Sequence, residues 1–325
     1  MFLKNAHIGE NKWPLYLATI VLVIVGTIIG QVPLAVVLEK TAADNGVSQS
    51  DYEEMIRSMD FSSLGLDQNL TVFLMLLAFV VGLLFLWIGV RFIHKKPFEA
   101  IVTSSLKTNW KKIFFSFGLW MALTIVLEFI FYLLQPDIYT FQFQADKFLI
   151  LLLIALFVFP LQTSFEELMF RGYLMQGISL LNKYPLFKYR WMPLILTSVG
   201  FGVMHIMNPE VEAFGLELSM TYYIGVGLFL GILTLMDDGL ELALGVHAAT
   251  NIYSALFVTF DDSAVQTSAL FHTSEVNMGW MLAGFFVAAI AFIRIVSQKY
   301  NWGSWKHCFG EIETPQNEDE IVFES

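Results

Sequence analysis

Cysteine occurs once in the 325 residues, at Cys308, so the chain can close no intrachain disulfide and build no cysteine-based metal centre. Charge is scarce too. Asp, Glu, Lys and Arg make up 14% of the chain against 56% hydrophobic residues, and the mean hydropathy is +0.64. A soluble domain cannot hide that much apolar surface. No basic stripe is present, which excludes a nucleic-acid surface. The net charge of −11 comes from acids gathered in loops and in the tail, where they read as solvated surface. Internal repeats, low-complexity linkers, a separate soluble domain and an HExxH motif are all lacking.

What the chain has is hydrophobic length, in runs near the roughly 20 residues that cross a bilayer as helix. A helix satisfies its own backbone in lipid, so the pattern predicts an all-α polytopic membrane protein and not a barrel. Eight transmembrane helices in one bundle are expected, over residues 15–38, 69–93, 113–134, 148–180, 191–207, 219–236, 242–260 and 278–297. The first run has no small-residue cleavage site after a short core and reads as a permanent anchor. Residues 1–147 form an N-terminal part with three helices and an external acidic loop, in which a short helix fits between residues 39 and 68. Residues 148–260 form the core that carries the polar groups, 261–309 the last helix and its inner flank, and 310–325 an acidic tail expected to be disordered.

Basic residues orient this bundle. With both termini cytoplasmic, 15 Lys and Arg fall inside or at inner helix ends and only Lys40, Arg57 and Lys147 fall outside. An even number of spans in the cell membrane follows.

Against this background the ionisable residues within the runs stand out, because each costs at least about 2.5 kcal/mol on insertion scales and marks a functional site by default. The run SFEELMFRG places Glu166, Glu167 and Arg171 on the fourth helix. Its apolar pattern continues past Pro160, a predicted kink, for about 50 Å. Arg171 lies four residues beyond Glu167, the spacing and order of a helical ion pair. Glu166 is then left free to act on water as a general base and acid, unless both acids belong to a structural ion network or a proton relay. His205 follows Phe201 by four residues with Gly200 and Gly202 beside it; alone, it reads as a structural histidine. His247 and Asn251 share a helix face and could donate hydrogen bonds to an oxyanion; in isolation they read as an interhelical hydrogen-bonded pair. Counting from the helix ends puts His205 about 21 Å from the inner face and deeper than His247, so convergence demands tilted or broken helices. Glu128 on the third helix reads as a structural hydrogen-bond partner, and Asp237 and Asp238 as solvated loop acids.

Together the motifs resemble, in order and type, the signature of the CPBP family of CAAX proteases and bacteriocin-processing enzymes, also called Abi. Its best-known member is the type II CAAX prenyl endopeptidase. EExxxR matches Glu166, Glu167 and Arg171; FxxxH matches Phe201 and His205; the HxxxN end matches His247 and Asn251. The match covers about a third of the chain. The resemblance implies an eight-helix intramembrane endopeptidase, open toward the cytoplasm, acting on a peptide or prenylated peptide amid membrane lipid. It implies that Glu166 and His205 activate water, His247 and Asn251 hold the oxyanion, and Glu167 and Arg171 support them. Family members are described both as metalloproteases and as glutamate-dependent proteases. A Glu and two His suffice to hold zinc with an open position, which makes Glu166, His205 and His247 the ligand set in that case. Using Glu166 as a ligand removes the obvious base, so the reading favours no cofactor. A proton-coupled transporter and a non-catalytic immunity or scaffold protein are the competing functions; paired repeats with broken helices, the mark of many transporters, are missing.

Overall fold

The computed structural model describes residues 2–105 and 107–314. Apolar runs become helices wherever local signals allow. Helix α1 (Trp13–Asp44) starts with Pro14 in its first turn, where a missing N–H costs nothing. Helix α2 (Gln49–Ser58) is the short helix expected in the first loop, opened by the Ser48 hydroxyl accepting from the Asp51 amide. Helix α3 (Gln68–Ile88) is capped by Asp67 and runs on as a π-helical turn to Ile93. Helix α4 (Trp110–Leu134) follows.

After a short strand β1 (Tyr139–Phe141), the fourth span runs from Ala145 to Ser179 in pieces. Helix α5 (Ala145–Phe157) breaks at Val158, two residues before Pro160, and α6 (Phe159–Glu167) resumes the axis. The break thus falls two residues ahead of Pro160, whose ring nitrogen cannot donate to the Leu156 carbonyl. A π-helical segment, Leu168–Leu174, comes next and α7 (Met175–Ser179) ends the span. Then come α8 (Trp191–Met204), α9 (Pro209–Phe214), α10 (Leu216–Asp237) and α11 (Glu241–Leu256). Strands β2 (Val258–Thr259) and β3 (Phe271–Thr273) join β1 in a small sheet of order β1-β3-β2. Helices α12 (Met278–Lys299) and α13 (Lys306–Phe309) close the described chain.

Among the described residues six helices, not eight, are long and apolar enough to cross a membrane. The fifth and seventh expected spans are helices of 14 and 16 residues. One stops at His205 because Pro209 cannot continue it; the other gives way to β2, which pairs with a distant strand.

In a bilayer, lipid tails are as apolar as leucine, so helices associate through close packing more than through burial from water. Helix α11 is the centre of that packing, with 12 of its 16 residues buried, while α4 buries only Ser116 and Trp120. The two approach closely at Gly245, where a Cβ would sit 2.8 Å from the Phe117 amide nitrogen.

Both ends of the described chain meet at one end of the bundle. Phe2 is fully buried, its amide donates to Asp238 Oδ1 at 3.1 Å, and Lys4 and Arg190 both reach Glu313. The acids at the end of α10 are thus not merely solvated: Asp237 pairs with Lys112 at 2.9 Å with its side chain 3% exposed. The tail expected to be disordered from residue 310 is docked as far as 314, with Ile312 buried and its amide donating to the Lys188 carbonyl. Residues 315–325 lie outside the described residues.

Candidate active site

Helix α6 presents two carboxylates at its C-terminal end. Glu167 points into the bundle, fully buried, and its Oε1 accepts from Arg171 Nη1 at 2.9 Å. The guanidinium is fully buried as well, donates through Nη2 to the Gly227 carbonyl at 3.3 Å, and lies 4.3 Å from the centre of the Phe201 ring. Arg171 sits in the π-helical segment, a local widening that occurs mostly at functional sites.

The same Glu167 oxygen accepts from His247 Nδ1 at 2.7 Å. Because a carboxylate oxygen can only accept, this contact places a proton on Nδ1 and leaves Nε2 facing outward. Nε2 lies 3.3 Å from Glu166 Oε2. Glu166 is therefore not the isolated carboxylate that helical spacing suggested, but one end of a chain running Glu166, His247, Glu167, Arg171. Two carboxylates, a guanidinium and a doubly protonated imidazole would sum to zero charge, so that no member of the chain would be a buried charge without a counter-charge.

His205 caps the C-terminal end of α8. Its Nδ1 donates to the Phe201 carbonyl at 2.7 Å, so a neutral ring offers Nε2 as an acceptor. The ring is stacked on Tyr223 (centroids 4.3 Å apart, 22° between planes) and packs against Phe201 at 4.5 Å. Phe201 also meets the His247 ring at 6.0 Å, so one aromatic side chain touches both histidines and Arg171. His205, at the end of α8, and His247, on α11, both pack against Phe201, and these helices of 14 and 16 residues are not full spans.

Asn251, one turn after His247, donates through Nδ2 to Gln162 Oε1 at 2.9 Å. Gln162, Tyr223 and the π-helical turn escaped the sequence reading. Gln162 precedes Glu166 by four residues on α6, so a helical wheel puts them on one face, but its partner is 89 positions away. Glu128 stands apart from the network and accepts from the Tyr139 hydroxyl at 2.6 Å. It lines a cavity of about 420 Å³ on the other side of α11, between α4 and α12, which shares no residue with the network.

Among the described residues no group of three or more His, Cys, Asp or Glu side chains converges to hold a metal ion. Both ring nitrogens of His247 already face glutamates. Glu166, His205 and His247 as placed do not form the ligand set that zinc needs.

The chain is 37% identical over 206 residues to the uncharacterized protein YyaK of Bacillus subtilis (strain 168). That match covers 63% of this chain and 66% of YyaK, just short of two thirds of the relative's length. No solved structure matches. A family model described as type II CAAX prenyl endopeptidase Rce1-like matches residues 145–253, from the start of α5 into α11 and across every residue of the network.

Proposed function

We propose that this protein is an intramembrane endopeptidase that hydrolyses a peptide bond in a membrane-associated or lipidated, CAAX-like peptide without a bound metal. The observation that carries the proposal is the buried chain Glu166, His247, Glu167, Arg171, with Glu166 at its open end. Glu166 takes a proton from water while His205 Nε2 holds that water, and the oxygen attacks the carbonyl carbon of the scissile bond. The carbonyl oxygen becomes an oxyanion that accepts from His247 Nε2–H and Asn251 Nδ2–H. Glu166 then gives its proton to the departing amine nitrogen as the C–N bond breaks. The Nε2–H that the step requires belongs to the doubly protonated ring, whose Nδ1–H is held by Glu167, and Arg171 holds Glu167.

Both termini are assigned to the cytoplasmic side of the cell membrane. Their meeting at one end of the bundle and the excess of Lys and Arg in the segments around them support this orientation. The deciding experiment is cleavage of a reporter peptide by purified protein in detergent. Glu166→Gln should fold and insert normally yet lose essentially all cleavage, because an amide cannot take a proton from water. Activity within a few-fold of wild type would sink the assignment.

A further inference from the structure

Gln162 and Glu166 stand one turn apart on α6, and Asn251 and His247 stand one turn apart on α11. The four make two rungs between the helices: Glu166 Oε2 lies 3.3 Å from His247 Nε2, and Gln162 Oε1 accepts from Asn251 Nδ2 at 2.9 Å. The first rung belongs to the proton chemistry already described. The second has no task there.

An asparagine amide is nearly symmetric in shape but opposite in polarity at its two ends. Facing the reacting carbonyl with N–H, it stabilises the developing negative charge; turned by half a revolution, it faces that charge with lone pairs and repels it. Nothing in the Asn251 side chain itself decides between these orientations. In the observed pairing Gln162 turns its oxygen, which can only accept, toward Asn251 and so draws one Asn251 N–H toward α6. The second N–H is then left for the substrate. Gln162 is 6% exposed, and α6 is anchored just beyond it by the buried Glu167. Both features keep that acceptor in place.

Resting on the peptidase reading above, we infer that Gln162 is a positioning residue, which acts through Asn251 by fixing which end of its amide meets the oxyanion. Loss of an oxyanion donor typically costs about 10² to 10³ in kcat. Loss of the orienting acceptor should cost part of that, roughly 10 to 100-fold, with KM within about two-fold of wild type, because the charge arises only in the transition state.

The test is a cycle on the full-length protein in detergent with a reporter peptide: wild type, Gln162→Met, Asn251→Ala and the double variant. Methionine keeps the length of glutamine and removes the acceptor. A loss in kcat for Gln162→Met, and no further loss when it is added to Asn251→Ala, is the expected result. Additive losses, or a silent Gln162→Met beside an active wild type, would overturn the inference. Gln162→Leu serves as a second apolar replacement. Failure of both single variants to give stable protein would make the residue structural and overturn it as well. Wild-type protein that cleaves nothing is a separate result, which removes the peptidase reading and this inference with it.

Discussion

Glu167 Oε1 receives two donors, Arg171 Nη1 and His247 Nδ1, while Oε2 makes no hydrogen bond. One oxygen therefore couples the ion pair to the ring that faces Glu166. Breaking a buried pair by removing one partner strands the other and costs about 3 to 5 kcal/mol. Glu167→Gln and Arg171→Met should each lower thermal stability in detergent and abolish cleavage. The double variant should lose less than the sum, by on the order of 1 to 3 kcal/mol; strict additivity would show that the pair contributes nothing as a pair. The metal-free reading has its test at this scale too. Purified active protein should contain no stoichiometric zinc and should keep its activity in a chelator, since the ligands as placed are engaged with one another. Stoichiometric zinc, with activity lost on chelation and restored by zinc, would overturn the metal-free mechanism. The pairing of Glu167 with Arg171 was legible in the sequence because both partners sit on one helix, four residues apart. The contacts of Glu166 with His247, of Asn251 with Gln162 and of His205 with Tyr223 were not, because they depend on how separate helices are turned and staggered.

At the scale of elements, apolar runs located every long helix, because hydrophobic length alone sets a bilayer span. They did not give the ends of α8 and α11. Those are set by Pro209, which is local and was readable, and by pairing of β2 with β3, which is not local. The π-helical turn at Leu168–Leu174 left no mark in the apolar pattern. What holds α11 against α4 is Gly245, two residues before His247. A Cβ there meets the Ser116 hydroxyl, the Ile113 carbonyl and the Phe117 amide, and two of these are backbone that cannot turn aside. Gly245→Ala should cost about 1 to 3 kcal/mol through overpacking and reduce cleavage by displacing His247. Gly118→Ala on α4, where a Cβ meets nothing within 4 Å, is the control and should be neutral or slightly stabilising. Equal melting temperatures for the two variants would show that this close approach does not constrain the bundle.

Across the whole molecule, the N-terminal segment is stitched into the end of the bundle where the polar loops meet. Asn5 donates to the Ala100 and Thr103 carbonyls, Gln176 to the Phe2 and Ala100 carbonyls, and Lys96 to the Ala6 carbonyl. His94, beside Lys96 in the chain, ties this layer to the π-helical segment, with Nε2 2.8 Å from the Tyr173 hydroxyl. The burial of Lys96, 3% exposed, pushes its ammonium down from 10.5 to about 7. His7 is likewise lowered, by burial first and then by the Lys96 charge. The sign of the stability effect follows from proton counting. Between about pH 7 and 10.5 the unfolded chain carries the Lys96 proton and the folded chain does not, so raising the pH through that window stabilises the fold. Below pH 7 the full cost of the buried amine is present; above 10.5 it has vanished. Lys96→Met should therefore raise stability most near pH 7, by on the order of a few kcal/mol, and progressively less toward pH 10. Thermal unfolding of wild type and variant in detergent at pH 7, 8.5 and 10 measures this, and the two curves should converge as pH rises. Parallel curves would mean that the Lys96 proton is not linked to folding, and the attachment of the N-terminal segment would then rest on the Asn5 and Gln176 side-chain hydrogen bonds and the Lys4–Glu313 pair.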